Sequence, residues 1–390
     1  MLGQDFSLLL ECSGYGDSIL KRALLAMLRQ QVHDHVEWPV QLEEFRELVD
    51  AAGFAIVDTV VQTRVRGHGG TLFGRGKVEE MAALIAKEDI EVVTVYNELT
   101  SMQKFNLQRA FGVLVLDRYE VVLQVFSREA RDRVSQLQLE LALLQKSYPF
   151  VKVAESERLL RERPARHGGR GPGEYAYHAQ LRGVRKRIAK VTADLARYRR
   201  EHRSRLRRRR EAGIPMVMVV GCYNAGKTSL FNALTGAEKE VSDRPFTTLA
   251  SKWSRIGNPN LLLADTIGFA LDLDPSLISA FQLNLDDMRV ADVLLLVVDV
   301  SDDLQVLKMK LDSSLAILEA IGVDEQRILI VLNKTDLVDP EYLEQRVSVV
   351  RNDYGFYSVQ VSVETGWNLE DLIIATQRLY GEVGQNALPF

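Results

Sequence analysis

The stretch MVMVVGCYNAGKTSLFNAL, residues 216–234, decides the fold of the second half of this 390-residue chain. Five apolar residues, typical of a buried strand, lead directly into G-x-x-x-x-G-K-T at 221–228, and a helical pattern follows. Glycines let such a loop turn its backbone N–H groups toward phosphate oxygens, while Lys227 reaches the β- and γ-phosphates and Thr228 offers a hydroxyl to Mg²⁺. The stretch therefore predicts a phosphate-binding loop between a strand and a helix.

Further apolar runs alternate with helical patterns from this loop to the end of the chain. Near-continuous apolar runs are typical of a parallel sheet whose two faces are covered by helices. We therefore predict a doubly wound α/β P-loop domain over residues 213–390. Its strands are expected at 216–221, 261–266, 293–300, 327–334 and 358–363.

Four shorter motifs follow the loop in the order that a GTPase requires. RPFTTL at 244–249 offers a switch threonine, and DTIG at 265–268 offers an acidic residue near the metal and a glycine N–H near the γ-phosphate. NKTD at 333–336 ends a predicted strand, and the carboxylate of Asp336 can accept two hydrogen bonds that guanine offers and adenine does not. SVETG at 362–366 lies where a loop closes over the base. Together the motifs predict that the domain binds and hydrolyses GTP.

One motif lacks a side chain that other GTPases use. Gly268 is followed by Phe269, at the position where Ras-like switches carry the glutamine that orients the attacking water. The catalytic group must then be a backbone group, a residue elsewhere or a group from a partner, while Phe269 itself is compatible with simple core packing. We expect slow intrinsic turnover that a partner accelerates.

The first part of the chain, residues 1–126, predicts a smaller parallel α/β subdomain. Short β-rich runs alternate with helical patterns at 41–52, 77–88 and 100–110, as in β-α-β units. One connection, RVRGHGGTLFGRGK at 64–77, is either a flexible phosphate-contacting loop or a solvated turn. The strands are expected at 6–12, 54–62, 90–96 and 113–117.

Residues 127–212 predict a long antiparallel helical hairpin. Apolar residues recur at alternating spacings of three and four in two segments, so the two helices are expected to pair. Glycine and proline in ERPARHGGRGPGEYAYH at 162–178 end both helices and form the tip of the hairpin. The spaced residues are Ala130, Val134, Leu137, Leu141 and Leu144 in the first helix, and Leu181, Val184, Ile188, Val191, Leu195 and Tyr198 in the second.

The positive charge of the chain is concentrated in this hairpin. The whole sequence has a formal net charge of −4, but residues 161–210 contain 18 Lys and Arg against 4 Asp and Glu, a local net charge of +14. The rest of the chain therefore carries −18. A concentrated basic segment binds phosphate backbones by releasing counterions, so the hairpin is expected to contact RNA. The alternative is that its RLRRRR run at 205–210 is only a solvated face.

The cysteines and the N-terminal residues indicate a reducing compartment. Cys12 and Cys222 lie far apart and have the spacing of neither a disulfide framework nor a zinc site. Asp5 and Glu11 stand where a targeting peptide would be basic or poor in acidic residues. Because no apolar run approaches the roughly 18 residues of a membrane span, we expect a cytoplasmic protein.

The motifs resemble those of the HflX family of ribosome-associated GTPases. The resemblance rests on GCYNAGKT, PFTTL, DTIGF and NKTD, and on GGRGPGE at 168–174 between paired helices ahead of the GTPase domain. It extends roughly from residue 40 onward. It implies a monomer, partly ribosome-associated, that places the hairpin tip against the RNA of the large ribosomal subunit and dissociates stalled or idle ribosomes. The alternatives are a GTPase that assembles large-subunit precursors and an RNA-binding nucleotide switch with little turnover.

The resemblance also implies roles for individual residues. Lys227, Thr248 and Gly268 are expected to be catalytic, and Thr228 and Thr248 to bind Mg²⁺. Asn224 either holds K⁺ or is a structural asparagine of the loop. The tip residues expected to contact RNA are Arg163, Arg166, Gly168, Gly169, Arg170 and Gly171. The residues expected to bind GTP are Gly221, Asn224, Ala225, Gly226, Lys227, Thr228, Ser229, Asp265, Gly268, Asn333, Lys334, Asp336, Ser362 and Val363.

Overall fold

The structure, a computed structural model, confirms the predicted α/β class with two sheets and a long helical hairpin. The chain divides into two compact units, Met1–Arg197 and Tyr198–Phe390. Among the described residues, no helix is both long and apolar enough to cross a membrane. The structure describes residues 20–30, 37–130, 132–162, 172–211, 213–237, 252–256, 261–266, 268–269, 271 and 282–386.

The first unit contains a four-stranded parallel sheet with the strand order β2-β1-β3-β4. Three of its strands lie where the apolar runs predicted them. The strands are β1 (Lys21–Arg29), β2 (Phe54–Thr63), β3 (Val92–Val95) and β4 (Leu114–Asp117). The connecting helices are α1 (Glu37–Ala51), α2 (Arg75–Lys87), α3 (Ser101–Phe111) and α4 (Arg118–Glu129).

The strand that sequence patterns missed is β1, whose sequence is KRALLAMLR. Alanine, leucine and methionine favour helix when a segment stands alone. In the sheet, β1 pairs with β2 on one side and β3 on the other, and its six central residues are buried. Packing on both faces of a central strand outweighs helix propensity here. The strand expected at 6–12 lies outside the described residues.

The hairpin consists of α5 (Arg133–Glu162) and α6 (Pro172–Glu211). Arg187 of α6 donates to Glu140 of α5 at 2.8 Å, and the Arg185 guanidinium donates to the Tyr148 hydroxyl at 2.6 Å. On α6, two of the six residues with the predicted spacing, Leu181 and Val191, are buried, and the other four are half-buried. The apolar face of α5 is wider than predicted because α5 also packs against α3 and α4.

A partly buried ion pair joins α5 to the carboxyl end of the first sheet. The Lys146 ammonium lies 2.8 Å from a carboxylate oxygen of Asp117, the fully buried last residue of β4. Asp117 also accepts the backbone N–H of Glu120 in the first turn of α4. The ion pair therefore fixes the base of the hairpin to the sheet through a residue that already caps a helix.

The second unit contains a six-stranded sheet with the order β10-β9-β8-β5-β7-β6, in which only β6 is antiparallel to its neighbour. The strands are β5 (Met216–Val220), β6 (Lys252–Ile256), β7 (Leu261–Asp265), β8 (Val293–Asp299), β9 (Ile328–Asn333) and β10 (Ser358–Gln360). The helices after α6 are α7 (Lys227–Thr235), α8 (Gln282–Val290), α9 (Leu304–Ala320), α10 (Pro340–Asn352) and α11 (Leu369–Asn386). The five predicted strands are confirmed, and β6 is an addition.

The last turns of α6 pack within this second unit. Arg199 donates to buried Asp286 of α8 at 2.6 and 2.8 Å, and the neighbouring Asp287 lies 2.5 Å from His202. The Arg209 guanidinium stacks 5.0 Å from the ring centre of Trp253 on β6. Part of the basic run thus has structural contacts. The end of α6 contacts β6, which follows the RPFTTL motif along the chain, and α8, which follows the DTIG motif.

Candidate nucleotide-binding site

The predicted nucleotide-binding residues meet at the carboxyl edge of the second sheet. The parallel strands β5, β7, β8 and β9 end together there. Strand β5 lies between β7 on one side and β8 on the other, so the direction in which strands are added to the sheet switches at this point. Open α/β sheets bind ligands at such a switch point. The loop after β10 reaches the same edge, because Val363 bonds to Asn333 at the end of β9.

Two loop positions accept only glycine. Gly221 has a φ of +136°, and a Cβ there would lie 2.4 Å from the carbonyl oxygen of Val297 on β8. Gly226 has a φ of +90°, and a Cβ there would lie 2.3 Å from the side-chain nitrogen of Asn333. The loop can therefore pass under its neighbours and open α7 at Lys227, whose unsatisfied backbone N–H groups suit phosphate.

Lys227 is buried at the centre of the loop. Its ammonium donates to the Cys222 carbonyl at 2.6 Å, and only 7% of the residue is exposed. Burial lowers the pKa of Lys227 to about 8, although the charge of Asp265 opposes the shift. A phosphate group placed here would restore favourable charge pairing for the ammonium.

Thr228 and Asp265 form an oxygen pair beside this lysine. The Thr228 hydroxyl donates to a carboxylate oxygen of Asp265 at 3.2 Å, and Asp265 is fully buried at the end of β7. Hydroxyl and carboxylate oxygens are the ligand types that Mg²⁺ takes. The donor set therefore fits Mg²⁺, and Thr228 and Asp265 are the described residues that could hold it. Thr248, the other expected ligand and a predicted catalytic residue, lies outside the described residues.

Gly268 and Phe269 continue the edge next to the phosphate loop. A Cβ on Gly268 would lie 3.1 Å from the Lys227 ammonium, so the glycine allows close approach to that group. Phe269 exchanges backbone hydrogen bonds with Gly221 and Tyr223 at 2.9 and 3.0 Å, and its side chain packs in the core. Core packing therefore explains this residue, and its side chain cannot orient water.

Asn333 connects the guanine motif to the two neighbouring loops. Its side-chain nitrogen donates to the Ala225 carbonyl at 3.0 Å, and its side-chain oxygen accepts the Val363 N–H at 3.2 Å. Asp336 is exposed, and one of its oxygens accepts the hydroxyl of buried Ser362 at 2.5 Å. The carboxylate predicted to read guanine is therefore held from the SVETG loop and faces solvent.

Lys334 has a left-handed backbone, with a φ of +66°. For a residue with a side chain this conformation costs about 1–2 kcal/mol. Its ammonium lies 2.6 Å from Asp299 at the end of β8. Sequence reasoning missed Asp299, although a carboxylate that ends a buried parallel strand was an available signal.

The remaining predicted residues carry less structural support. Asn224 is exposed, with a φ of +59° that asparagine tolerates better than most residues, and Ser229 is half-buried in the first turn of α7. The tip residues expected to contact RNA, Arg163, Arg166, Gly168, Gly169, Arg170 and Gly171, lie outside the described residues.

The glycine-rich loop of the first unit is held by backbone and side-chain bonds. His68 and Leu72 exchange backbone hydrogen bonds at 2.7 and 2.8 Å. Gln103 and Asn106 of α3 donate to the His68 and Gly70 carbonyls at 3.0 and 2.9 Å. These bonds give the loop a defined conformation despite its glycine content.

Family models and relatives agree with this architecture. Residues 40–127 match the N-terminal region of GTP-binding GTPases, residues 129–210 their middle region, and residues 216–334 a 50S ribosome-binding GTPase model. GTPase HflX of Thermofilum pendens is 37% identical over 344 residues, which are 87% of this chain and 80% of that protein. The chain belongs to the HflX family. Its P-loop domain accordingly binds and hydrolyses GTP.

More distant HflX proteins keep the same extent of similarity. GTPase HflX of Escherichia coli is 32% identical over 352 residues, covering 89% of this chain and 81% of that protein. Among solved structures, the complex of SsGBP with GDP superposes with a TM-score of 0.50 at 23% identity, over 94% of this chain and 100% of that one. That likeness supports the fold of this HflX family member.

The pKa of Lys227 predicts how nucleotide affinity depends on pH. The free protein loses the Lys227 proton above pH 8, so binding to phosphate must then recover it. We expect GDP affinity to be steady below pH 7 and about tenfold weaker at pH 9, measured by titration with a fluorescent GDP analogue. Lys227→Arg stays charged throughout and should remove the slope. Equal slopes in both proteins would assign the effect to another group.

Proposed function

We propose that this GTPase binds the large ribosomal subunit and dissociates stalled or idle ribosomes. The observation that carries the proposal is the local net charge of +14 over residues 161–210 in an otherwise acidic chain. Such a segment binds RNA through its phosphates. The P-loop domain also matches a family model described as a 50S ribosome-binding GTPase.

The hairpin supplies the RNA-contacting part under this proposal. Arg182, Lys186 and Lys190 recur every four residues along α6 and are exposed, whereas Arg187 pairs with Glu140 of α5. The three exposed cations can bind RNA phosphates, whereas the ion pair of Arg187 stabilises the hairpin. The tip residues, Arg163, Arg166 and Arg170 with Gly168, Gly169 and Gly171, would extend this basic surface to ribosomal RNA.

Nucleotide state would control binding through the switch motifs. GTP orders switch loops around its γ-phosphate, and hydrolysis relaxes them. The end of α6 bonds to Asp286 and Asp287 of α8 and stacks on Trp253 of β6. These elements follow the DTIG and RPFTTL motifs along the chain. Relaxation of either motif would thus act on the helix that carries the basic residues.

The proposed functional parts of the chain are the three segments that the sequence motifs predicted. Residues 1–126 and 127–212 would form the ribosome-binding part and residues 213–390 the GTPase, acting as a cytoplasmic monomer that is partly ribosome-associated. Thr228 and Thr248 would hold Mg²⁺, which neutralises charge on the phosphate oxygens. Lys227, Thr248 and Gly268 would contact the transferred phosphate, and Asn224 would bind K⁺.

Sedimentation through sucrose gradients tests ribosome binding. We expect the protein to travel with large subunits in the presence of a non-hydrolysable GTP analogue and to shift intact ribosomes toward free subunits. A variant with Arg163→Ala, Arg166→Ala and Arg170→Ala should bind more weakly, with a salt dependence of log affinity reduced by up to about three, and with normal GDP affinity.

The matched control removes the same charge from the GTPase domain, by replacing exposed Arg255, Arg351 and Arg378 with alanine. Equal losses in the two variants would move the RNA contact away from the tip. No association with large subunits would refute the proposal, and association without loss of intact ribosomes would favour a role in subunit assembly.

Potassium dependence tests the role of Asn224. GTP hydrolysis should be several-fold faster in KCl than in NaCl at equal concentration if the Asn224 side chain holds K⁺. Asn224→Gly keeps the left-handed backbone but lacks the ligand, so it should lose this preference, whereas Asn224→Asp retains an oxygen and should keep it. A preference unchanged in the glycine variant would leave Asn224 with a backbone role only.

A further inference from the structure

Asp299 is a nearly buried carboxylate at the nucleotide edge that belongs to none of the GTPase motifs. It ends β8, directly opposite Asn333 in the register with β9, and 7% of the residue is exposed. One of its oxygens accepts the backbone N–H and the hydroxyl of Ser301 at 2.9 and 2.6 Å. The other lies 2.6 Å from the Lys334 ammonium. Among the described residues, this carboxylate thus contacts Lys334 of the guanine motif and Ser301 of its own loop.

Lys334 is consequently held at both ends. Its backbone has a φ of +66°, and Asn333 before it is fixed by bonds to Ala225 and Val363. A lysine side chain normally keeps much rotational freedom, which ordering removes. The ion pair with the Asp299 carboxylate removes much of that freedom here. The aliphatic stem between the two fixed ends is then a preformed apolar surface within the guanine motif.

We propose that Asp299 is a positioning residue for guanine nucleotide, acting only through Lys334. By holding the ammonium, Asp299 keeps the Lys334 stem in place to pack against the purine ring, while Asp336 reads the base edge. Its contribution is to retention of any purine nucleotide, because a stem packs against a ring face without reading its substituents. The proposal concerns nucleotide retention and is independent of ribosome binding.

The nearby pair of Asp302 and Lys310 offers a matched control. Its ions are 2.7 Å apart, and the side chains are 20% and 23% exposed, compared with 8% and 26% for Asp299 and Lys334. Lys310 lies on α9 and outside the guanine motif. Asp302→Asn therefore removes a similar ion pair from the same loop and leaves the ion pair between Asp299 and Lys334 in place.

The test measures dissociation of a fluorescent GDP analogue from the full chain by stopped flow. We expect Asp299→Asn to accelerate dissociation by about tenfold, the usual scale for loss of one charge-assisted hydrogen bond. The ratio of affinities for GDP and inosine diphosphate, which lacks the 2-amino group, should stay at the parent value. Asp302→Asn should dissociate GDP at the parent rate. Equal acceleration by both variants would overturn the proposal, as would a changed affinity ratio in Asp299→Asn.

A double-mutant cycle with Lys334→Met separates positioning from general loop damage. If Asp299 acts through Lys334, adding Asp299→Asn to Lys334→Met should change the dissociation rate by less than about twofold. Independent, multiplying effects would refute the proposal. Ser301→Ala, which removes only one bond that orients Asp299, supplies a milder version and should accelerate dissociation less than Asp299→Asn. Unchanged GDP dissociation in both Ser301→Ala and a folded Asp299→Asn would also refute it.

Discussion

The side-chain amide of Asn333 is the contact on which the nucleotide edge depends. Its nitrogen holds the Ala225 carbonyl of the phosphate loop, and its oxygen holds the Val363 N–H of the loop after β10. Three loops from three strands therefore take fixed relative positions through one side chain that is 2% exposed. An unpaired amide in so buried a position would cost about 1–3 kcal/mol, so the amide stabilises the relative placement of all three loops. The same contact explains why position 226 must be glycine.

At the position after Gly268, this chain lacks the glutamine that orients the attacking water in Ras-like GTPases. Phe269 occupies the place of the water-orienting glutamine and instead packs in the core, with its backbone paired to the phosphate loop. Near Lys227, the side chains of Thr228 and Asp265 offer oxygens of the type that Mg²⁺ takes. Binding and hydrolysis of GTP are thus separable demands on this protein. The first is met by groups within the domain, and for the second we expect a backbone group, a residue elsewhere in the chain or a group from a partner.

Sequence patterns predicted the parts of the fold that depend on local chemistry. The phosphate loop, the buried strands after it and the hairpin periodicity each follow from short stretches such as 216–234. The patterns failed where distant contacts decide. Strand β1 has a helix-forming composition and becomes a strand because β2 and β3 flank it. The partners of Asp299 and Asp286 could not be predicted from the sequence, because only folding brings these carboxylates to Lys334 and Arg199.

We propose that this HflX family member binds nucleotide through its own P-loop domain and that the large ribosomal subunit accelerates its GTP hydrolysis. Single-turnover hydrolysis of GTP, with and without saturating purified large subunits, tests it most directly. We expect slow hydrolysis by the protein alone and an acceleration of at least about tenfold with subunits, as for GTPases that receive a group from a partner. Equal rates in the two conditions, with subunit binding verified in the same samples, would contradict it.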